Sequence, residues 1–109
     1  MSLVSVAKLA DIPAGGTLKV KGEGVDIMLA KAGDKVYALA DRCPHMGGSL
    51  SGGTLDGTTI KCPNHGAMFD IATGKNLGPA KILFLKMNVK DAKSYKVEVK
   101  GTEVFVELP

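Results

Sequence analysis

The chain has 109 residues, with 14 Lys and Arg against 11 Asp and Glu, and a net charge of +3. This length suits one domain with one core, so we predict a single domain over residues 1–109. The lysines are spread along the chain without interleaved aromatic residues, which argues against nucleic-acid binding. No apolar run reaches the roughly 18 residues that cross a membrane, and residues 1–14 lack the pattern of a signal peptide. We therefore expect a cytoplasmic protein without a membrane or nucleic-acid partner.

Fourteen glycines and five prolines predict frequent turns and short strands rather than long helices. One helical turn is predicted near residues 7–11. The first strand is predicted over residues 17–21, where Leu and Val alternate with Lys. A β-hairpin should follow, with strands over residues 25–31 and 35–40 joined by a three-residue loop at residues 32–34.

The later strands are marked by an alternation of apolar and polar residues, most clearly in the C-terminal third. They are predicted over residues 58–61, 68–71, 83–89, 95–100 and 103–108. Gly101 falls in the turn of the last hairpin. Because such strands bury one face and expose the other, the predicted fold class is all-β, an antiparallel β-sandwich or small barrel.

Two Gly- and Pro-rich loops, at about residues 42–53 and 61–74, break the alternation and hold every Cys and His of the chain. The first reads Cys-Pro-His and the second Cys-Pro-Asn-His. Each loop therefore supplies one thiolate and one imidazole, which are donors that iron–sulfur centres and zinc accept. The predicted ligands are Cys43, His45, Cys62 and His65. The glycines that let the backbone approach a bulky cofactor are Gly47, Gly48 and Gly66.

A structural zinc-binding module is the alternative for this donor set. Zinc sites commonly pair Cys with Cys and His with His at short spacings, whereas each loop here mixes the two residue types. The spacing therefore favours an iron–sulfur centre.

With Cys-Pro-His in the first loop, Cys-Pro-x-His-Gly in the second and Phe-Asp-x-x-Thr-Gly after it, the sequence resembles the Rieske family over nearly its whole length. The resemblance implies an all-β fold of the Rieske type, an antiparallel sandwich or small barrel with a two-loop cluster-binding subdomain. It also implies one [2Fe–2S] cluster, with one iron bound by Cys43 and Cys62 and the other by His45 and His65. Pro79 resembles the proline loop that packs over the cluster in this family.

The neighbours of the ligands also follow from the resemblance. Respiratory members carry an additional Cys in each loop, joined as a disulfide, where this chain has Gly48 and Asn64. They also carry a Ser and a Tyr that donate hydrogen bonds to sulfur, where this chain has Ala67 and Phe69. The resemblance therefore implies a disulfide-free centre at the low end of the Rieske range of roughly −150 to +300 mV. The residues that it places around the cluster are Met46, Gly47, Gly48, Gly66, Ala67, Phe69 and Pro79.

The resemblance implies a soluble, monomeric one-electron carrier that passes electrons from a flavin reductase to a terminal oxygenase or a similar acceptor. The chain has two His in all, so it lacks the further two that the mononuclear iron of a Rieske oxygenase needs. An electron-transfer protein is therefore expected rather than an enzyme. The alternative is a small Rieske subunit or redox sensor of a larger oxidoreductase, similar to that of nitrite reductase.

Three further predictions concern the surroundings of the loops. Met46, Leu50 and Leu77 are predicted either to form an apolar collar that suits transient docking of a redox partner or to pack the cluster loops, and the two roles are compatible. Asp70 is predicted to cap or orient the second loop. Segment 81–93 is predicted to add or lengthen a strand relative to typical oxygenase ferredoxins.

Overall fold

The computed structural model describes residues 2–41, 49–62, 68–78, 80–82, 85–87 and 91–108. Within these ranges the chain forms short β-strands and two 3₁₀ turns, at Leu9–Asp11 and Leu50–Gly52. The strands are β1 Ser2–Lys8, β2 Thr17–Gly22, β3 Val25–Ala32, β4 Lys35–Ala40, β5 Thr54–Asp56, β6 Thr59–Lys61, β7 Met68–Asp70, β8 Asn76–Gly78, β9 Ala80–Ile82, β10 Leu85–Met87, β11 Ser94–Tyr95, β12 Val97–Lys100 and β13 Glu103–Leu108. The all-β prediction is confirmed.

The strands form four antiparallel sheets in the described part of the chain. The central sheet has the order β11-β4-β3-β2, and the outer sheet has the order β1-β13-β12. The loop-side sheet has the order β5-β6-β7-β8 and carries the second predicted ligand loop between β6 and β7. Strands β9 and β10 form a separate two-stranded hairpin.

The central sheet is covered on both faces. Ile27 and Leu29 of β3 pack in an outer core that includes Val104 and Val106 of the outer sheet. The intervening Met28 and Ala30 pack in a loop-side core. All four consecutive β3 residues, 27–30, are 0% exposed, which explains why this strand reads as a continuous apolar run instead of an alternating one.

The loop-side core is where the scaffold meets the predicted site. It joins residues of the central sheet, the loop-side sheet and the ends of both predicted loops. Its buried members are Met28, Ala30, Leu39, Leu50, Ile60, Cys62, Phe69, Ile71 and Ala92.

Two predicted elements differ in detail from the structure. Ala32 pairs with Lys35, so the first hairpin turns on two residues instead of three, with Gly33 at φ 61°. In the C-terminal third, Ile82 of β9 pairs with Leu85 of β10. The strand predicted over residues 83–89 is therefore observed only over Leu85–Met87, and residues 83–84 and 88–90 lie outside the described residues.

The predicted strand over residues 95–100 is divided between two sheets. Ser94–Tyr95 pairs with β4 of the central sheet, whereas Val97–Lys100 pairs with β13 of the outer sheet. Burial raises the pKa of the Tyr95 hydroxyl, and the ammonium of Lys93 lies 5.4 Å from the centre of its ring. The chain thus links two layers at this point, which alternation alone does not reveal. Gly101, at φ 61°, lies in the last hairpin turn as predicted.

Candidate metal centre

Cys62 is the one predicted ligand among the described residues. It directly follows β6, and Lys61 at the end of β6 pairs with Met68 at the start of β7. The two strand residues that flank the second loop, Lys61 and Met68, are therefore paired neighbours in the loop-side sheet. Cys62 is 2% exposed and packs in the loop-side core, so its side chain is held in well-packed, apolar surroundings.

Phe69 belongs to the same core and is 0% exposed. It lies on β7, opposite Ile60 of β6. The aromatic ring therefore packs in the core that holds Cys62, but it carries no hydroxyl that could donate a hydrogen bond to sulfur.

The two loops are also in direct backbone contact. Thr54, which starts β5, pairs with Lys61, and Gly53 lies so close that an added Cβ would overlap the carbonyl oxygen of Lys61. Only glycine permits this approach at this position. The end of the first loop is thereby fixed against the residue that precedes Cys62.

A cluster of polar side chains that sequence reasoning did not predict closes the first loop. Asp41 directly follows β4, and its carboxylate accepts a hydrogen bond from the Ser49 hydroxyl at 2.7 Å. It accepts two more from Ser51, from the backbone N–H at 2.6 Å and from the hydroxyl at 3.0 Å. Residues 42–48, which include two predicted ligands, therefore begin and end at one hydrogen-bonded cluster. The sequence signal was a carboxylate ending an apolar strand and a Ser-x-Ser after the loop.

The turn after β7 accounts for the Phe-Asp-x-x-Thr-Gly motif. The Asp70 carboxylate accepts the N–H of Ala72 at 2.8 Å, and its backbone carbonyl accepts the N–H of Gly74 at 2.7 Å. The Thr73 hydroxyl accepts the N–H of Lys75 at 3.2 Å. Asp70 thus caps the turn that leads into β8, which confirms the capping role and assigns it to this turn.

Gly74 provides a stability prediction. It has φ 77°, and an added Cβ would overlap the carbonyl oxygen of Ala92. The backbone N–H of Ala92 also donates a hydrogen bond to the Gly74 carbonyl at 2.7 Å. We expect Gly74→Ala to lower the free energy of unfolding by about 2–4 kcal/mol in urea denaturation, because backbone strain and overlap add. Gly24→Ala is the matched control, since Gly24 has φ 80° with open space around it. Equal losses for the two variants would show that the contact with Ala92 is unimportant.

The remaining predicted site residues divide into those the structure describes and those it does not. Of the two roles predicted for Leu50, packing is confirmed and the exposed collar is wrong: its side chain is 0% exposed in the loop-side core, because the 3₁₀ turn points it inward. Leu77 is 48% exposed, as a collar requires. The predicted residues that lie outside the described residues are Cys43, His45, Met46, Gly47, Gly48, Asn64, His65, Gly66, Ala67 and Pro79.

Two exposed apolar side chains flank the second loop. Met68, 38% exposed, begins β7 directly after the loop, and Leu77, 48% exposed, lies on the neighbouring strand β8. In the described ranges no set of three or more Cys, His, Asp or Glu side chains forms a metal-binding group, which is expected because three of the four predicted ligands lie outside them. Within the same ranges, no helix is long and apolar enough to cross a membrane.

The described residues form an all-β protein, and each of the two predicted ligand loops, with one Cys and one His in sequence, has a described residue, Leu50 or Cys62, in the same buried core. The sequence matches the Rieske [2Fe–2S] domain over residues 2–83. The chain therefore belongs to the Rieske [2Fe–2S] domain family, which binds one Rieske-type cluster. This membership decides between the iron–sulfur and zinc alternatives in favour of the cluster.

The similar proteins include ferredoxins of dioxygenase systems. The chain is 36% identical over 111 positions to the 3-phenylpropionate/cinnamic acid dioxygenase ferredoxin subunits of Shigella boydii serotype 4 and Escherichia coli K12, covering 100% of this chain and 96% of each relative. It is also similar to the ferredoxin of carbazole 1,9a-dioxygenase from Nocardioides aromaticivorans IC177, with TM-score 0.82, 30% identity and 97% of both chains covered.

A second similar structure is a complex of reduced oxygenase and oxidized ferredoxin in carbazole 1,9a-dioxygenase. The similarity has TM-score 0.80 and 34% identity, covering 95% of this chain and 91% of that one. The similarity to the ferredoxin subunits runs over the full length of this chain. The additional or lengthened strand in segment 81–93 stays a prediction.

The donor chemistry fits the cluster of the family. Two thiolates and two imidazoles are the ligand set of a Rieske centre, and the chain has two Cys and two His, all in the two loops. Cys62 adds the buried, apolar surroundings that limit solvent access to such a centre. When bound, the cluster supplies reversible one-electron chemistry. The chain's own residues would supply its ligands and the buried surroundings of Cys62, and they hold the two ends of the first loop together.

Proposed function

We propose that this protein is a one-electron carrier of a dioxygenase system, a single cytoplasmic domain over residues 1–109 that acts as a monomer. It takes electrons from a flavin reductase and delivers them to a terminal oxygenase. Cys43 and Cys62 would bind one iron of the [2Fe–2S] cluster, and His45 and His65 would bind the other. The observation that carries this proposal is full-length similarity, at 36% identity, to dioxygenase ferredoxin subunits.

Electron delivery requires a partner surface close to the cluster, and Met68 and Leu77 supply one. Large exposed apolar side chains are unfavourable in water, and they gain free energy when a partner covers them. Met68 directly follows residues 63–67 of the second ligand loop, and Leu77 lies two residues before Pro79 in the sequence. A small apolar contact of this kind suits the weak, short-lived complexes of redox proteins. The oxygenase is the partner expected here, since a related ferredoxin was solved in complex with one.

The experiment is an anaerobic stopped-flow measurement. The reduced protein is mixed with the oxidized oxygenase component of the 3-phenylpropionate or carbazole dioxygenase system, and the rate of cluster oxidation is read from its absorbance. We expect electron transfer with a rate that saturates with oxygenase concentration. No transfer to either oxygenase, from a protein that holds its cluster, would contradict an oxygenase as acceptor.

Variants locate the contact in the same assay. Leu77→Asp and Met68→Asp are expected to lower the second-order rate constant by about tenfold each, because a charge in the contact must be desolvated. The matched controls are Leu3→Asp and Val99→Asp, since both residues are similarly exposed, at 40% and 43%, on the outer sheet. They should leave the rate unchanged. If all four variants slow transfer equally, Met68 and Leu77 do not form the docking surface.

A subunit or redox-sensor role is separated by affinity purification. A shuttle is expected to bind its partners weakly and to release them on washing with salt. Co-purification in a fixed ratio with a large oxidoreductase would instead identify the protein as a permanent subunit.

A further inference from the structure

Asp41 has a buried carboxylate at the mouth of the first ligand loop. It is the buried charged side chain of the described residues, with 0% of the side chain exposed. Burying a carboxylate is unfavourable unless hydrogen bonds and a counter-charge compensate it. The groups that stabilise the Asp41 carboxylate therefore indicate its role.

Its hydrogen bonds come from the far end of the loop. Three donors reach it, the Ser49 hydroxyl and the backbone N–H and hydroxyl of Ser51, within 2.6–3.0 Å. The two hydroxyl oxygens also lie 2.8 Å apart. The hydroxyls of Ser49 and Ser51 and the Asp41 carboxylate therefore form one connected hydrogen-bond network. The Thr17 hydroxyl donates to the Ser51 carbonyl at 3.2 Å, which ties the same point to β2. These contacts fix both ends of residues 42–48.

Among the described residues, the charge of Asp41 is only partly compensated. The nearest cation in that part of the chain is the Lys19 ammonium, 3.8 Å from the carboxylate, and the Lys19 side chain is 56% exposed. A half-exposed lysine is screened by water, so it offsets little of the field that a buried carboxylate projects inside the protein. Hydrogen bonds stabilise the carboxylate without removing its net negative charge.

Asp41 also lies two residues before Cys43 in the sequence, which keeps their Cα atoms within about 7 Å. Reduction adds one negative charge to the cluster. We propose that Asp41 is a positioning residue that closes the first ligand loop and that its buried negative charge lowers the reduction potential of the cluster. This proposal rests on the proposed function, because it requires Cys43 and His45 to bind the cluster.

The test is the midpoint potential of Asp41→Asn, measured by redox titration followed by electron paramagnetic resonance. Asn has the same shape, and its carbonyl oxygen can still accept the Ser51 N–H. At an effective dielectric constant of about 20, loss of a buried charge two residues from a predicted ligand should favour reduction about tenfold. For a one-electron couple this is a rise of about 59 mV.

Asp26→Asn is the matched control. Asp26 is exposed, and its backbone carbonyl accepts the N–H of Asp41 at 3.0 Å. The substitution therefore removes one negative charge from a residue next to Asp41, but from an exposed position. Because water screens an exposed charge, its effect should stay below about twofold. Equal shifts for Asp41→Asn and Asp26→Asn, or no shift for Asp41→Asn, would overturn the proposal.

Lys19→Met keeps the proposal testable if Asp41→Asn fails to hold the cluster. Removing the partial counter-charge should strengthen the field of Asp41 and disfavour reduction by about twofold. Lys21→Met is its control, since Lys21 is exposed on the same strand and pairs with Asp26 instead. A potential that rises in Lys19→Met, or that falls equally in both variants, would overturn the electrostatic role.

The loop-closing role has its own readout. Ser51→Ala removes one hydroxyl donor and leaves the charge in place, so it should broaden or shift the resonance signal of the reduced cluster without raising its potential. If Ser51→Ala raises the potential as Asp41→Asn does, loop geometry and not charge sets the potential. A wild-type protein without a cluster would instead refute the proposed function, which separates the two failures.

Discussion

Cys62→Ala is expected to purify without a [2Fe–2S] cluster and with a lower thermal midpoint than the cluster-loaded protein. The side chain is 2% exposed and packs in the loop-side core. As a mere core residue, it would lose about 1 kcal/mol or less on replacement by Ala, because only one sulfur atom is removed. If Cys62 is a ligand, its loss also removes the free energy of cluster binding, which stabilises the folded state.

The measurement is iron and sulfide content together with thermal unfolding followed by circular dichroism. Ile60→Val is the matched control, because Ile60 is 0% exposed in the same core and its replacement also removes a small volume. It should cost about 1 kcal/mol and leave the cluster in place. A Cys62→Ala protein with full iron and sulfide content would exclude Cys62 as a ligand.

The second large effect concerns the reduction potential. The wild-type midpoint is expected toward the low end of the Rieske range of roughly −150 to +300 mV, and Phe69→Tyr should raise it. Phe69 is fully buried in the core that holds Cys62. A new hydroxyl there can donate a hydrogen bond to sulfur, which stabilises the more negative, reduced state. At about 1 kcal/mol per hydrogen bond, the expected rise is about 40 mV.

Protein-film voltammetry checks this prediction, with Val104→Thr as the control. Val104 is 0% exposed in the outer core, so its replacement also buries a new hydroxyl, but on the opposite face of the central sheet from the loops. It should lower stability and leave the potential unchanged. A wild-type midpoint well above zero, or equal shifts in the two variants, would show that hydrogen-bond donors near sulfur do not set the potential.

Much of the fold follows from local pattern. The strands at Thr17–Gly22, Lys35–Ala40 and Glu103–Leu108 lie where apolar and polar residues alternate or where turn residues bound them. What pattern did not show is how the strands pair. Period two is the same for one strand of seven residues and for the two arms of a hairpin, so Ile82 and Leu85 were not expected to pair.

The predicted ligands of the candidate site could be read from the sequence, whereas the packing and hydrogen bonds around them could not. The four predicted ligands stood out because Cys and His are rare in this chain and occur in matched loops. For Leu50, packing and surface exposure were both left open, because its burial depends on how the 3₁₀ turn sits on the loop-side core. Asp41 was missed because its partners, Ser49 and Ser51, become neighbours only when the loop closes. An interaction that forms across a loop leaves no periodic signal in sequence.

The proposal for Asp41 adds a second cause to the expected low potential. The resemblance attributes it to absent donors, Ala67 and Phe69 in place of Ser and Tyr. The structure adds a buried negative charge beside the first loop. The two causes act in the same direction, and they are separable, since Phe69→Tyr adds a donor and Asp41→Asn removes a charge. If they are independent, the double variant should show the sum of the two shifts.

The most direct test of the central claim is metal and sulfide analysis of the purified protein, combined with electron paramagnetic resonance after reduction. We expect a reddish-brown protein with two iron and two sulfide per chain, and a reduced state that gives a Rieske-type signal with histidine nitrogen coupling. A colourless protein that contains one zinc per chain and cannot be reconstituted with iron and sulfide would contradict the account.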